Sequence, residues 1–228
     1  MKINVKGAIV PNEDKWIYDW LEMDATCPKD VLNSIEKSTD GKLDVYINSG
    51  GGDIFAGSEI YAALQEFTGE VVIHVVGLAA SAASVIACAG QSDITKTGMF
   101  MYHNVSSGAR GDYHAMDKAS EVLQVANRAI SAAYVAKTGM SEKDLLARMD
   151  AETWITADDA VSLGFIDKIA ESKNLKLSAA SGGVLPQETI DKIRNTVKNP
   201  LGNEADIFMP AKAAQAKIKL LNLKVRKI

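Results

Sequence analysis

Three groups of residues in this 228-residue chain have the types needed for acyl transfer: Ser81, His103 and the run Gly50-Gly51-Gly52. Serine attacks a carbonyl only when a base removes its proton, a third group orients that base and fixed donors receive the oxyanion. Ser81 follows the apolar stretch Val71-Val72-Ile73-His74-Val75-Val76 and the small residues Gly77-Leu78-Ala79-Ala80. A strand that turns into a helix at a serine places the hydroxyl at a helix N-terminus, where backbone dipoles favour negative charge. His103 is the candidate base. The Ala82 N–H, in the first turn, has no partner within a helix, and Gly51 and Gly52 permit close approach of a second strand's backbone, giving candidate oxyanion donors. On residue chemistry alone Ser81 reads equally well as a plain N-cap, Ser84 rivals it as the hydroxyl that matters, and a lone histidine at a strand end is more often structural.

Other chemistries find less support. His74 lies inside an apolar strand and reads as buried and satisfied. His114 opens a helix, where a solvent-exposed role is expected. The glycine run lacks the lysine of a phosphate loop and is not G-x-G-x-x-G, so no nucleotide site is expected. No histidine and cysteine cluster has ligand spacing, so neither a metal nor another cofactor is expected.

These residues need a scaffold that brings them together. Ile3–Ile9, Leu43–Asn48, Glu70–Gly77 and Met99–His103 read as strands, separated by helices from Cys27-Pro28 to about Lys37, over Gly57–Phe67 and over Ser81–Ala89. Such βα alternation demands a mostly parallel sheet with right-handed crossovers, and ligands collect outside the carboxyl ends of its strands. The glycine run, Ser81 and His103 all follow strands, so they can converge on one edge. From about 112 to 137, Met116, Ala119, Leu123, Ala126, Ile130 and Ala133 recur at intervals of three and four, which marks a long helix with a narrow stripe suited to self-association. Ser141 and Thr156 start two further helices, Gly139 and Gly164 end elements, and Phe165–Ile169 reads as a terminal strand. The packed domain is expected to span 1–172. Residues 173–183 read as a linker within a C-terminal extension, 173–228, whose 188–197 segment suits a modest helix and which carries no catalytic constellation.

Composition narrows the class. With 47% apolar and 24% charged residues the chain is globular, and a net charge of −4 leaves no basic footprint for nucleic acid. The basic ends Lys217–Lys219 and Lys224–Lys227 read as solvated. Two cysteines, Cys27 and Cys88, fit a reducing compartment, no run approaches the roughly 20 apolar residues of a membrane span, and the N-terminus alternates as a strand does. A cytoplasmic location, with no membrane partner, is the expectation.

Two segments together resemble a known family. Tyr46-Ile47-Asn48-Ser49-Gly50-Gly51-Gly52-Asp53-Ile54-Phe55-Ala56-Gly57 resembles the Asn-Ser-Pro-Gly-Gly segment of the ClpP peptidases, and Gly77–Ala83 resembles their nucleophile segment. The similarity continues through His103 to Trp154-Ile155-Thr156-Ala157-Asp158-Asp159-Ala160-Val161-Ser162-Leu163-Gly164-Phe165-Ile166-Asp167 and covers roughly residues 1–170. The resemblance implies the α/β spiral of ββα units shared by ClpP and the crotonases, with a mostly parallel sheet and a protruding handle helix at about 112–137. It implies a serine endopeptidase in which Ser81 is the nucleophile, His103 the base, the Gly52 and Ala82 N–H groups the oxyanion hole, and Gly50, Gly51 and Asp53 substrate-binding residues. The family's acid, an aspartate, falls at Glu152, whose extra methylene needs the backbone about 1 Å further back; Asp150 is the rival acid.

Further implications concern partners: a polypeptide substrate, a homo-oligomeric ring (heptamer or double heptamer), and either an AAA+ unfoldase or phage capsid proteins. Gly50 in place of proline, the segment Asn104–Gly111 in place of Gln-Pro-Leu-Gly-Gly, and the extension beyond Ser172 resemble the phage and prophage proteases of head maturation more than a housekeeping subunit. Three alternatives stand beside this: a Clp proteolytic subunit fed by an ATP-dependent unfoldase, a non-catalytic ring-forming assembly protein, and a crotonase-like acyl-CoA enzyme.

Overall fold

A computed structural model describes residues 1–171 and 185–196. The elements are β1 (Lys2–Ile9), α1 (Lys15–Trp20), β2 (Ala25–Thr26), α2 (Pro28–Glu36), β3 (Lys42–Gly52), α3 (Ile54–Glu66), β4 (Glu70–Ala80), α4 (Ala82–Ala87), β5 (Gln91–Ile94), β6 (Met99–Tyr102), α5 (Tyr113–Thr138), α6 (Glu142–Asp150), β7 (Thr153–Thr156), α7 (Ala157–Ser162), β8 (Lys168–Ile169) and α8 (Gln187–Thr196). The strands form one sheet in the order β2-β1-β3-β4-β5-β8, with β6 branching from β4 and β7 pairing with β6. Every pair is parallel except β6–β7. The expected mixed α/β architecture is the one found. The linker 173–183 and the basic ends 217–219 and 224–227 lie outside the described residues.

Alternation along β1 and β3 turns Ile3, Val5, Leu43, Val45 and Ile47 onto one face, where they pack with Ile60 and Leu64 of α3 and Ala83 and Ile86 of α4. The opposite face departs from the usual double covering of parallel strands. It presents Lys2, Tyr46, His74 and Asp93 in a chain of polar contacts: Lys2 Nζ lies 4.4 Å from the Tyr46 ring centre, the Tyr46 and His74 rings are 4.7 Å apart, and His74 Nδ1 meets both Asp93 carboxylate oxygens at 3.0 Å. His74 is therefore partnered, as expected, but only half-buried.

Helix α5 is packed only toward its C-terminal half. Ser131, Ala133 and Tyr134 are buried, and Tyr134 meets Tyr102 and Phe165 with ring centres 5.8 and 5.7 Å apart. Tyr113, Met116, Val122 and Val125 are exposed, so the first half protrudes, as the narrow stripe suggests. Among the described residues no helix is long and apolar enough to cross a membrane, and no group of three histidine, cysteine or acidic residues is placed to hold a metal ion. Both cysteines are buried and free, and burial pushes the Cys88 thiol up to about 12.

Candidate active site

The site depends on a change of partner within β4. Its first part, Val72–Val75, pairs with β5, whereas Leu78–Ala80 pairs with β6. Between them the register to β3 shifts, so that Ile47 faces Val75 but Ser49 faces Ala79. The extra residues form a bulge, the usual device for re-aiming a strand beside a site. Asn48 Oδ1 accepts the Leu78 N–H at 3.1 Å, and Gly77 is required there because a Cβ would lie 2.5 Å from that same oxygen.

Beyond the bulge, register brings serine and histidine together. Ala80 pairs with Met101, the Ser81 N–H donates to the Met101 carbonyl at 3.0 Å, and Ser81 Oγ lies 2.8 Å from His103 Nε2. Although Ser81 occupies the N-cap position of α4, its side chain makes no capping hydrogen bond. The bland N-cap reading thus loses its hydroxyl to the histidine. Ser81 sits at φ 55°, ψ −126°, a sparsely populated region that costs about 1–3 kcal/mol and persists only when the surroundings impose it.

Those surroundings include Ser84. Its Oγ donates to the Ser81 carbonyl at 2.6 Å and accepts from the Tyr134 hydroxyl at 2.8 Å; burial raises the Tyr134 phenol, which keeps that proton in place. Ser84 is wholly buried and occupied in this way, which leaves Ser81 as the accessible hydroxyl of the pair.

The glycine run lies inside β3 rather than after it, a correction to the expected strand end at Asn48. Glycine locally favours a turn, but β1 supplies ladder partners for Gly51 and Gly52, β4 pairs with Ser49 just before them, and Ser49 Oγ holds the run by donating to the Gly7 carbonyl at 2.6 Å and accepting the Gly51 N–H at 3.0 Å. The close approach to the serine falls to Gly51: a Cβ there would stand 2.7 Å from Ser81 Cβ and 3.0 Å from Ala82 N. At Gly52 a Cβ would instead meet the Ile9 carbonyl oxygen at 2.1 Å, and around Gly50 the space is open. Asp53 caps α3 by accepting the Ala56 N–H at 2.8 Å.

The two acid candidates are engaged elsewhere. The β6–β7 ladder ends at the antiparallel pair Tyr102–Thr153, and His103 and Glu152 are the next residue on each side of it. Yet Glu152 has φ 47° and its carboxylate accepts the Trp154 indole N–H at 3.2 Å. Asp150 accepts the Asn104 amide N–H at 2.7 Å. Among the described residues neither carboxylate hydrogen-bonds to the His103 ring, so the expected orienting bond is not formed here. The turn conformation of Glu152 gives its carboxylate to Trp154.

A cavity of about 10 Å³ adjoins Ser81 and His103, walled by Ile54, Val85, Val105, Ile130 and Tyr134. It has room for about one water molecule. Asn104 leaves its Oδ1 without a partner, and Val105 is tied to α5 through the Asn127 side chain at 2.7 Å. Sequence reasoning quoted Asn48 and Ser49 only as part of a motif and gave Tyr134 no role. The bond of Asn48 to the Leu78 N–H spans 30 positions and that of Tyr134 to the Ser84 hydroxyl spans 50, so neither shows in a local pattern.

Comparison with known proteins bears on this arrangement. The Clp protease family profile matches residues 27–173. A protein similar to this chain is the ATP-dependent Clp protease proteolytic subunit 1 of Streptomyces avermitilis, 30% identical over 158 residues, which are 68% of this chain and 72% of that protein.

Proposed function

The chain belongs to the Clp protease family and is a serine peptidase of the ClpP type, and we propose that Ser81 is its nucleophile and His103 its base. The observation that carries the assignment is the 2.8 Å approach of Ser81 Oγ to His103 Nε2 by a hydroxyl free of capping duty. His103 takes the Ser81 proton as Oγ attacks the peptide carbonyl, then gives it to the leaving amine; water repeats the sequence on the acyl-enzyme. The Gly52 and Ala82 N–H groups receive the oxyanion, with Gly50 and Gly51 beside the substrate backbone. Glu152 orients the imidazole once its side chain leaves Trp154, a role supported by its place directly beyond the Tyr102–Thr153 pair, as His103 is on the other strand. Active-site labelling with a fluorophosphonate tests the pair: wild type is labelled, and Ser81→Ala and His103→Ala are not. Unchanged labelling of Ser81→Ala refutes the assignment.

The substrate in this reading is polypeptide, specifically capsid or scaffold protein of a phage-type assembly. Gly50, the segment Asn104–Gly111 and the extension beyond residue 172 support this. The chain works as a homo-oligomeric ring, a heptamer or double heptamer, assembled through α5, whose exposed Met116, Val122 and Val125 support association; native mass spectrometry reads the stoichiometry. The buried free thiols of Cys27 and Cys88 support a cytoplasmic setting. A second reading, a proteolytic subunit fed by an AAA+ unfoldase, is favoured by the name of the Streptomyces relative. Degradation of a folded protein only when an unfoldase and ATP are added distinguishes it. A non-catalytic ring protein or a crotonase-like enzyme has no use for a serine bonded to a histidine at a strained backbone position.

A further inference from the structure

We propose that α8 and the turn before it form one wall of a substrate subsite for a large apolar side chain, so that this C-terminal segment sets cleavage preference at a position two to four residues from the scissile bond. The inference rests on the serine-peptidase reading of Ser81 and His103.

A cavity of about 560 Å³ lies between the end of β1, the segment after His103 and α8. Its volume is within the range of binding pockets, roughly 300–1,000 Å³, and far exceeds the small space beside Ser81. Ile9, Val10 and Tyr18 line one side, Ser107 another, and Leu185 and Ile190 the third.

Two of these walls run from the catalytic pair. Ile9 is the ladder partner of Gly52, next to the residue that touches Ser81. Ser107 is four residues beyond His103, at most about 14 Å of extended chain. A polypeptide lying extended between these walls advances about 3.3 Å per residue, so its side chains reach the cavity two to four residues from Ser81.

The third wall comes from outside the family segment, which ends at residue 173. Ten residues make only a marginal helix alone, so α8 depends on what it packs against. Ile190 and Ile193 are buried with Ala8, Val10, Ile17 and Cys27, and the Leu185 N–H donates to the Tyr18 hydroxyl at 3.1 Å. The Arg194 guanidinium pairs with Asp14, whose side chain is only 5% exposed. That pairing neutralises the buried carboxylate, and Asp53, the other acid at the cavity, is occupied as the cap of α3. With its acids engaged, the cavity offers the apolar surfaces of Val10, Leu185 and Ile190 beside the uncharged Ser106, Ser107 and Gln187, and we assign the apolar side to a large apolar side chain of the substrate.

The test uses the full chain, with fluorogenic peptides of about ten residues carrying Leu, Phe or Gly at each position around the cut, and a short acyl ester that does not reach the cavity. Leu185→Trp fills the cavity without removing the buried face of α8, and Ile190→Asp with Ile193→Asp undocks the helix. We expect wild type to favour Leu or Phe over Gly at one position by at least about tenfold in kcat/KM, the scale of hydrophobic pockets, and both variants to bring that ratio below about twofold while ester hydrolysis and fluorophosphonate labelling stay at the wild-type rate. An unchanged preference in both variants overturns the proposal. So does a uniform rise on all substrates, the ester included, which makes the tail an obstruction. Absence of labelling in wild type overturns the peptidase reading itself, and the subsite with it.

Discussion

Three adjacent glycines should respond to alanine in three different ways. Gly50 is exposed and a Cβ there meets nothing within 4 Å, so Gly50→Ala is neutral or stabilises by up to about 1 kcal/mol through a less flexible unfolded chain. Gly51 has φ 91°, which costs an L-residue about 1–2 kcal/mol. Its added Cβ would sit 2.6 Å from the Ala80 carbonyl oxygen, a contact that must open to about 3.4 Å. The backbone around Ser81 then moves by about 0.8 Å, and a displacement near 1 Å costs about 100-fold in rate. Gly51→Ala should therefore lower kcat/KM by about 100-fold, equivalent to about 2.7 kcal/mol at the transition state. Gly52→Ala drives a Cβ to 2.1 Å from the Ile9 carbonyl oxygen, within the β1–β3 ladder, and the fold suffers directly, with a fall in Tm of at least about 5 °C. The assay is peptide hydrolysis and labelling rate measured beside thermal unfolding. A Gly51→Ala protein with wild-type kcat/KM would refute the claim that Gly51 holds the nucleophile segment.

Ser84→Ala removes the bond to the Ser81 carbonyl and leaves the buried Tyr134 hydroxyl without its partner, so unfolding should cost about 1–3 kcal/mol less while fluorophosphonate still labels Ser81, checked by urea titration and mass spectrometry. Glu152→Gln should reduce kcat at least about tenfold, as for loss of an orienting carboxylate, whereas Asp150→Asn stays within about threefold; the reverse order in a peptide assay makes Asp150 the acid. The hydrogen bond to Asp93, opposed by burial and assisted by Asp44, holds the His74 pKa above its usual value. Because the folded value is the higher one, this stabilisation is complete below about pH 6.5 and is lost as pH rises through the folded value. Urea midpoints between pH 6 and 9 should decline with pH in wild type and lose that component in His74→Asn.

Long periodic segments were legible in the sequence because their patterns are local. Alternation in β1 and β3 and the spacing from Met116 to Ala133 needed no distant partner to be read. The convergence of Ser81 and His103 followed from both residues ending strands of one parallel sheet. What escaped was non-local. The four-residue strands β5 and β7 carry too few residues to show a period, and α1 is an aromatic-rich turn and a half without one. The bulge in β4 exists only in relation to β3, β5 and β6. Residue chemistry alone did not separate Ser84 from Ser81; the family resemblance favoured Ser81, and Tyr134, 50 residues on, is what occupies Ser84. A helix near 188–197 was readable, and α8 occupies Gln187–Thr196, but its meaning appears only with Leu185 and Ile190 facing Val10 and Tyr18.

The branch at β6 divides the site into a fixed part and an exchangeable part. β4 is held by β3 along most of its length and by β5 and β6 in turn, so the spacing between Ser81 and His103 cannot change without disturbing three strands. β7 touches the sheet through four pairs to β6 alone, the only antiparallel ones among the described strands. A carboxylate presented from the start of β7 can be lengthened, shortened or shifted by two positions at the expense of one edge strand. In the proposed triad, Glu152 where the family has aspartate is the substitution such a layout tolerates: the proposed nucleophile and base form a rigid module, and the proposed acid is a replaceable part mounted on its rim.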